Sequence, residues 1–340
     1  MPAPKVSVIV PIRNGAEFAA GCMADLKAQT FRDFEALICV DAASDDGSEE
    51  AVRKAIGDDP RFRVLILGDD THLAGNRNLG LDSASGEFVW FCDVDDSFVP
   101  DLLEECVRLQ ERDSSDLVIF NAVNVGPGER VPEKFLGKEF PAYRLSSAEC
   151  MKGMQPAAIP VTAWSKFARR SVIEERGIRF RDSLAEDVDF TYRLLEACET
   201  VTVDLRPLYA YRRNAGTLTT SSSHADIRGK DEVAAYGLAD GIEMDPRVRE
   251  DVLRHNAYMK MRSAGHMEKG PFVEYVRSPE FKELREKYLR GFEGWGCYHF
   301  PGVYHWGIRF YLKHFYKRRG KTYMRTDGES FLRKCQIPKD

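Results

Sequence analysis

The stretch Glu87-Phe-Val-Trp-Phe-Cys-Asp-Val-Asp-Asp96 carries the plainest statement of the architecture. Gly86 precedes it, and the apolar run from Phe88 to Cys92 is short and unbroken. A run of that length, bounded by a turn residue and by charge, reads as a fully buried strand of a parallel sheet. Where the strand ends, three carboxylates arrive within four residues: Asp93, Asp95 and Asp96. Asp93 and Asp95 are two apart, so in extended backbone they leave the chain on the same side. Like charges so close repel, and a cation held between them relieves the repulsion. An all-oxygen donor set suits a hard divalent ion, Mn2+ or Mg2+. The plainer alternative is three acids that solvate a turn and cap the next helix, and context has to choose.

Outward from this strand, the first half of the chain alternates strands with helices. Residues 6–10 are a β-branched run stopped by Pro11, and residues 15–29 carry Phe18, Cys22 and Leu26 at helical spacing. A second strand over 34–40 ends at Asp41, and Ser48 caps a helix through Ile56 with Glu49 and Glu50 in its first turn. Residues 62–67 form a third strand. A helix over 74–85 follows, with Gly86 as its C′ residue. Beyond the opening stretch, Pro100 begins a helix to Arg112, and residues 116–121 are a fifth strand. Such alternation predicts a mostly parallel sheet between layers of helix. Ligands of these sheets bind outside the carboxyl ends of the strands. Asn14, Asp41 and the 93–96 acids all stand just after strands, so the chemistry is expected there.

A chain of 340 residues is long for one domain and predicts a large domain with an appendage. Its 43% hydrophobic and 30% charged residues are ordinary for a globular protein, and a net charge of -5 gives no nucleic-acid signal. Eight cysteines are scattered with no C-x-x-C pair, which suggests a reducing cytoplasm and no zinc site. Met-Pro-Ala-Pro-Lys leads straight into a strand, so no signal peptide is expected. No apolar run has the length of a membrane span. An α/β oxidoreductase is disfavoured by the lack of G-x-G-x-x-G after the first strand.

With these elements in place, a series of short strings resembles the family 2 glycosyltransferases. They are Val6-Ser-Val-Ile-Val-Pro-Ile-Arg-Asn14, Gln29-Thr-Phe-Arg-Asp-Phe-Glu35, Val40-Asp-Ala-Ala-Ser-Asp-Asp-Gly-Ser48, Gly75-Asn-Arg-Asn78 with Gly80, and Ala84 through Asp96. Trp164-Ser-Lys166, Gly177-Ile-Arg-Phe180, Ala185-Glu-Asp187 and Tyr209-Ala-Tyr-Arg212 are similar to later landmarks, so the likeness covers residues 5–220. It implies the GT-A fold and inverting hexosyl transfer from a UDP-sugar donor to a glycan or lipid-linked acceptor, in bacterial cell-surface polysaccharide synthesis. The implied place is the cytoplasm, at the inner face of the plasma membrane. A nucleotide-sugar-binding protein without turnover is the alternative.

The resemblance also lends roles to residues. Asp41 matches the acid that faces the uracil N3–H, although the usual D-D-G-S reads Asp41-Ala42-Ala43-Ser44 here. Pro11, Arg13 and Asn14 would floor the base, with Arg13 in place of the commoner tyrosine. Arg77 matches a basic residue near the donor, where a guanidinium suits a diphosphate. Asp95 would ligate Mn2+ or Mg2+ with Asp93 beside it near the ribose, Val94 would line the donor, and Asp96 would support the cluster. His224 is a further candidate ligand. Asp187 matches the general base, with a helix N-cap as its plainer reading. Glu186, Trp164 and Lys166 fall on the acceptor side.

These roles divide the chain into a catalytic domain over 1–222 and a helical region over 223–340, with nucleotide-sugar binding over 1–125 and the acceptor side over 126–222. Residues 215–227, rich in Gly, Ser and Thr, read as a loop able to close over the donor. Between Glu293 and Asp327 there is no acid, while Arg309, Lys313, Lys317, Arg318, Arg319, Lys321 and Arg325 are basic. Tyr304, Ile308, Tyr311, Leu312 and Phe315 make a stripe at helical spacing. Residues 303–321 are therefore expected either to lie on anionic lipid or to pack on the protein.

Overall fold

The structure, a computed structural model, describes residues 3–68, 72–154, 159–212, 224–315 and 321–335. The first half runs β1 (Val6–Ile12), α1 (Ala16–Lys27), β2 (Phe34–Asp41), α2 (Ser48–Ile56), β3 (Phe62–Leu67), α3 (His72–Ser83) and β4 (Phe88–Phe91). After the acidic turn come β5 (Ser97–Phe98), α4 (Leu102–Asp113), β6 (Leu117–Val125), β7 (Ala142–Ser146) and α5 (Ser147–Met154). Then follow β8 (Lys166–Arg169), α6 (Arg170–Glu175), α7 (Glu186–Ala197) and β9 (Thr200–Arg212). The remainder is helical: α8 (Ala225–Asp240), α9 (Pro246–Ala264), α10 (Lys269–Arg277), α11 (Pro279–Lys287), α12 (Phe292–His299), α13 (Pro301–Phe315) and α14 (Gly328–Cys335).

One sheet organises residues 6–212, in the order β3-β2-β1-β4-β8-β6-β9-β5, with β7 also on β9. Strands β1 to β4 are parallel to one another, and the registers Ile12↔Val40 and Ile9↔Phe91 bring three strand ends to one edge. Asn14, Asp41 and Asp93 gather there for that reason. The sheet is mixed further on. The fifth strand read from the sequence is β6, and β8 lies between it and β4, antiparallel to both. Strand β8 is four residues long and contains Lys166, so neither length nor hydrophobicity marks it in the sequence. Buried side chains fill both faces, with Ile9, Val89, Phe91 and Phe190 in one layer and Val8, Trp90, Phe120 and Tyr209 in the other.

Two glycines fix how closely the layers approach. A Cβ at Gly80 would stand 2.3 Å from Ile9 Cγ2, so α3 lies directly on β1. A Cβ at Gly86 would meet the Ser7 backbone nitrogen at 2.6 Å. Gly86 is therefore a close-approach residue and not the C′ residue expected of it, since α3 already ends at Ser83. Likewise Gly47, in a left-handed conformation, takes the N-cap of α2 in place of Ser48.

Of the two courses expected for the tail, its described stripe takes the inward one. Tyr304 stacks parallel to Phe272 at 6.4 Å and Ile308 is buried, so the described part of the predicted stripe packs inward. The side chains of Tyr311, Leu312, Lys313 and Phe315 lie outside the described ones, as do residues 317–319 and the loop residues 215–223. Residues 321–324 rejoin the sheet along β6: Tyr323 N–H donates to Ala122 O at 2.8 Å and Asn124 N–H to Lys321 O at 3.0 Å. Helix α14 then stacks Phe331 on Tyr143 at 5.9 Å. Among the described residues, no helix is long and apolar enough to cross a membrane. All eight cysteines are free and buried.

Candidate active site

The loops after β1 and β2 brace one another. Asn14 adopts a left-handed φ of 51°. Its N–H donates to Ser44 Oγ at 3.3 Å, and its Oδ1 accepts from Asp45 N–H at 3.0 Å. Asp46 Oδ2 accepts from Ala16 N–H at 2.8 Å, which satisfies one orphan donor at the start of α1. Pro11 is buried in β1, and Val94 crosses from the acidic turn to lie against Gly15, where a Cβ would meet it at 2.9 Å. Asp41 is 1% exposed at the end of β2. One of its oxygens accepts Ala43 N–H at 2.9 Å. The other, Oδ2, is 3.6 Å from Arg13 Nη1 and has no hydrogen-bond partner. A buried carboxylate oxygen with unused accepting capacity is costly unless something donates to it.

The centre of the site is Arg77, on α3 and 1% exposed. Its Nη2 donates to Asp93 Oδ1 at 2.9 Å, and its Nη1 donates to Glu186 Oε1 at 2.5 Å and Asp187 Oδ1 at 3.1 Å. The guanidinium also lies 5.2 Å from the Phe180 ring, which stacks on Phe190. Asn78, one residue beyond, fixes Phe180 by accepting its N–H and donating to its carbonyl, both at 2.8 Å. The resemblance assigned Arg77 to the donor's diphosphate. Both Nη atoms here serve carboxylates, which leaves Nε as the donor atom without a hydrogen-bond partner. Burial works against the charged guanidinium, but Asp187, Asp93 and Glu186 together raise its pKa above the usual arginine value.

The acids of the turn have separate surroundings. Asp93 is partly exposed and tied to Arg77, while Asp96 is 1% exposed. Asp96 Oδ1 accepts from Arg212 N–H at 2.7 Å. Burial first, then Asp95 and Asp93, pushes Asp96 well above the usual carboxylate range. The Tyr209 hydroxyl, itself buried, lies beside Asp96 and accepts from Asp93 N–H at 3.2 Å. Strand β5 pairs Ser97 with Ala210, so the turn is pinned to the end of β9. Tyr209 and Arg212 are thus braces whose role the sequence marked only as part of a family string.

On the other side, α7 begins at Glu186. Burial and the Asp187 charge push Glu186 up against the pull of Arg77. Burial likewise raises Asp187, with Arg77 opposing and Asp93 assisting. Asp187 is partly exposed and accepts a hydrogen bond from Ala163 N–H. Ala163 is held in place by Lys166, which is fully buried. The Lys166 amine donates to Pro160 O at 2.7 Å, Thr162 O at 2.9 Å and Ser165 Oγ at 2.8 Å. Burial pushes its pKa down to about 7, against the Asp187 charge. Trp164 is also buried, stacked on Tyr209 at 4.7 Å. Trp164 and Lys166, expected on the acceptor side, are both buried beneath the segment that touches Asp187.

Oxygen donors fit a hard divalent ion, and Mg2+ characteristically takes one or two carboxylates with the rest of its shell from water and phosphate. Asp95, half-buried at the turn, and Asp93 match that partial set. Among the described residues no group of three or more His, Cys, Asp and Glu side chains could hold an ion, so His224 is not brought together with Asp93 and Asp95. His224 is the N-cap residue of α8.

Comparison with known proteins agrees with this geometry. Residues 7–177 match the sequence model of Glycosyl transferase family 2. A cholesterol galactosyltransferase of Borreliella burgdorferi is 29% identical over 234 residues, covering 64% of this chain and 63% of that protein. A putative glycosyltransferase of Bacillus subtilis, EpsH, is 30% identical over 217 residues, with 62% of each chain covered. The chain thus spans less than two thirds of either relative. The crystal structure of residues 1–349 of S. aureus TarS superposes with a TM-score of 0.63 at 17% identity, covering 95% of this chain and 97% of that one. TarS has also been solved in complex with UDP-GlcNAc.

Proposed function

The chain belongs to glycosyl transferase family 2, and on that premise we propose that it moves a sugar from a UDP-sugar to an acceptor hydroxyl with inversion. Its mixed sheet between helices is the GT-A fold. The observation that carries the reading is the Arg77 clasp, which joins the acid at the end of β4 to the acids that open α7. An inverting displacement needs a leaving-group site and a base on opposite faces of one sugar. The two ends of the clasp supply acids suited to each.

In this mechanism the buried Asp41 Oδ2, which lacks a hydrogen-bond donor, accepts from the uracil N3–H. Pro11, Arg13, Asn14 and Val94 surround the base. Asp93 and Asp95 would hold Mn2+ or Mg2+, which when bound neutralises charge on the departing diphosphate. Asp187 takes the proton of the acceptor hydroxyl as its oxygen attacks the anomeric carbon. Burial raises its pKa and so favours proton uptake relative to a surface carboxylate, while the Arg77 charge opposes that rise. Arg77 also sets where that oxygen stands relative to Asp93. The acceptor is a glycan or a lipid-linked sugar of cell-surface polysaccharide, and the reaction is cytoplasmic.

A panel of UDP- and GDP-sugars, assayed for nucleotide release with Mn2+ or with EDTA, tests the reading. One or more UDP-sugars should release UDP, and both EDTA and Asp95→Ala should abolish that release while the circular dichroism stays unchanged. Undiminished turnover in EDTA removes the metal, and release from GDP-sugars alone removes the UDP assignment.

A further inference from the structure

The proposed chemistry makes no use of the outer surface of α12 and α13, which carries a ridge of large apolar side chains. Trp295 is 45% exposed, Phe300 55%, Val303 71% and Trp306 70%. The Trp295 and Phe300 rings are 5.5 Å apart, and His299 lies 5.0 Å from Trp295. Val303 and Trp306 are three apart on α13 and so share one face. Single exposed apolar residues are ordinary, but a contiguous aromatic group marks a contact surface.

The ridge is not a core face left uncovered. Helix α13 already buries its other side, where Tyr304 stacks on Phe272, Ile308 is buried and His305 Nε2 is 2.9 Å from Met267 O. Two apolar faces on one helix therefore have different fates. The sequence stripe through Tyr304 and Ile308 packs on the protein, and the ridge through Val303 and Trp306 faces out.

Charge identifies what the ridge meets. Arg309 is exposed one turn beyond Trp306, and exposed Lys269 lies beside Gly302. No acid occurs between Glu293 and Asp327, whereas seven Lys and Arg residues do. We propose that this ridge seats the protein on an anionic bilayer, with Trp295, Phe300, Val303 and Trp306 in the interface and Arg309 and Lys269 against lipid phosphates. A second copy of the chain fits poorly, because a two-fold contact sets one basic stretch against another. The argument rests on surface composition and stands apart from the proposed transfer reaction.

The test uses the full chain with vesicles of phosphatidylcholine alone or mixed in equal parts with phosphatidylglycerol. Wild-type protein should pellet with the mixed vesicles at low salt, be released as salt rises, and show a blue-shifted tryptophan emission when bound. Val303→Ser/Trp306→Ser alters only exposed positions, and it should raise the lipid concentration for half-binding by about tenfold or more. Its melting temperature and UDP release should match wild type. Three results overturn the proposal: no pelleting of wild type, equal pelleting of the double variant, or a double variant that instead changes the oligomeric state on gel filtration. The last would make the ridge an interface between chains. Since UDP release is read separately, failure of the membrane assignment and failure of the catalytic one are distinguishable.

Discussion

Replacing Arg77 by Met keeps the stem that packs near Phe180 and removes the charge from among Asp93, Glu186 and Asp187. Taking one partner from a buried ion pair costs about 3–5 kcal/mol, because the charges left behind have lost both water and counter-ion. With an unfolding entropy of about 2.1 cal/mol/K per residue, that corresponds to a melting temperature lower by about 4–7 °C for this chain length. The loss should depend on pH. Burial is the first cause that raises Glu186 and Asp187, and Arg77 is the chief influence lowering them. Without it both rise further. A carboxyl whose folded pKa is raised binds its proton more tightly folded than unfolded. Stability from such a group is full below the unfolded value, about 4, and is lost as pH rises through the folded one. The variant's deficit should therefore be small at about pH 5 and full at about pH 8, read by differential scanning fluorimetry. Adding Glu186→Gln should restore part of it at the higher pH. A deficit equal at both pH values refutes the electrostatic account and leaves Arg77 as a packing residue.

Two further outcomes follow from neighbouring residues. Asp187→Asn keeps the size of the side chain and cannot accept a proton, so transfer should fall by about 10²–10⁴-fold with UDP affinity unchanged. Near wild-type turnover would leave Asp187 as a first-turn acid of α7 that only pairs with Arg77. Lys166→Met strands the carbonyls of Pro160 and Thr162 and should cost about 1–3 kcal/mol. The pH dependence has the opposite sign, since burial depresses the Lys166 pKa from 10.5 to about 7. Its contribution is full above the unfolded value and lost as pH falls toward 7, so wild type should gain stability over that rise and the Met variant should gain less. Parallel stability curves for the two proteins would contradict it.

The parts of this site legible in the sequence are those set by strand register. Strand β4 is an unbroken apolar run, and β1 and β2 are interrupted only by Ser7 and Glu35 before their ends, so parallel pairing places whatever follows each of them at one edge. Asp41 and Asp93 could be located on that ground. Arg77 could not be read so far, because its partners lie 16 and 110 residues away and a lone arginine on a helix looks solvated. Lys166 and Trp164 sit in or beside a four-residue strand with no hydrophobic signature, so their burial was invisible. The return of residues 321–324 to β6 rests on contacts over 203 residues, as with Asn121 and Met324, and no local pattern encodes it. On α13 the sequence offered two apolar faces, and the periodicity reading took the one that the fold buries.

Three acids around one buried guanidinium are a poor means of gaining stability, since desolvating such charges offsets most of their attraction. Their arrangement does something more specific. The planar fork of Arg77 fixes one carboxylate from the sheet edge and two from the start of α7 in a single geometry. The Asp93 charge raises the Asp187 pKa and the Arg77 charge lowers it. Anything that draws Asp93 away from Arg77 removes one claim on the guanidinium and lets it hold the α7 acids more strongly. The basicity of Asp187 is thereby linked to the state of Asp93 through one side chain. In the proposed reaction the donor and acceptor sides of the site then cannot be tuned independently while Arg77 stays between them.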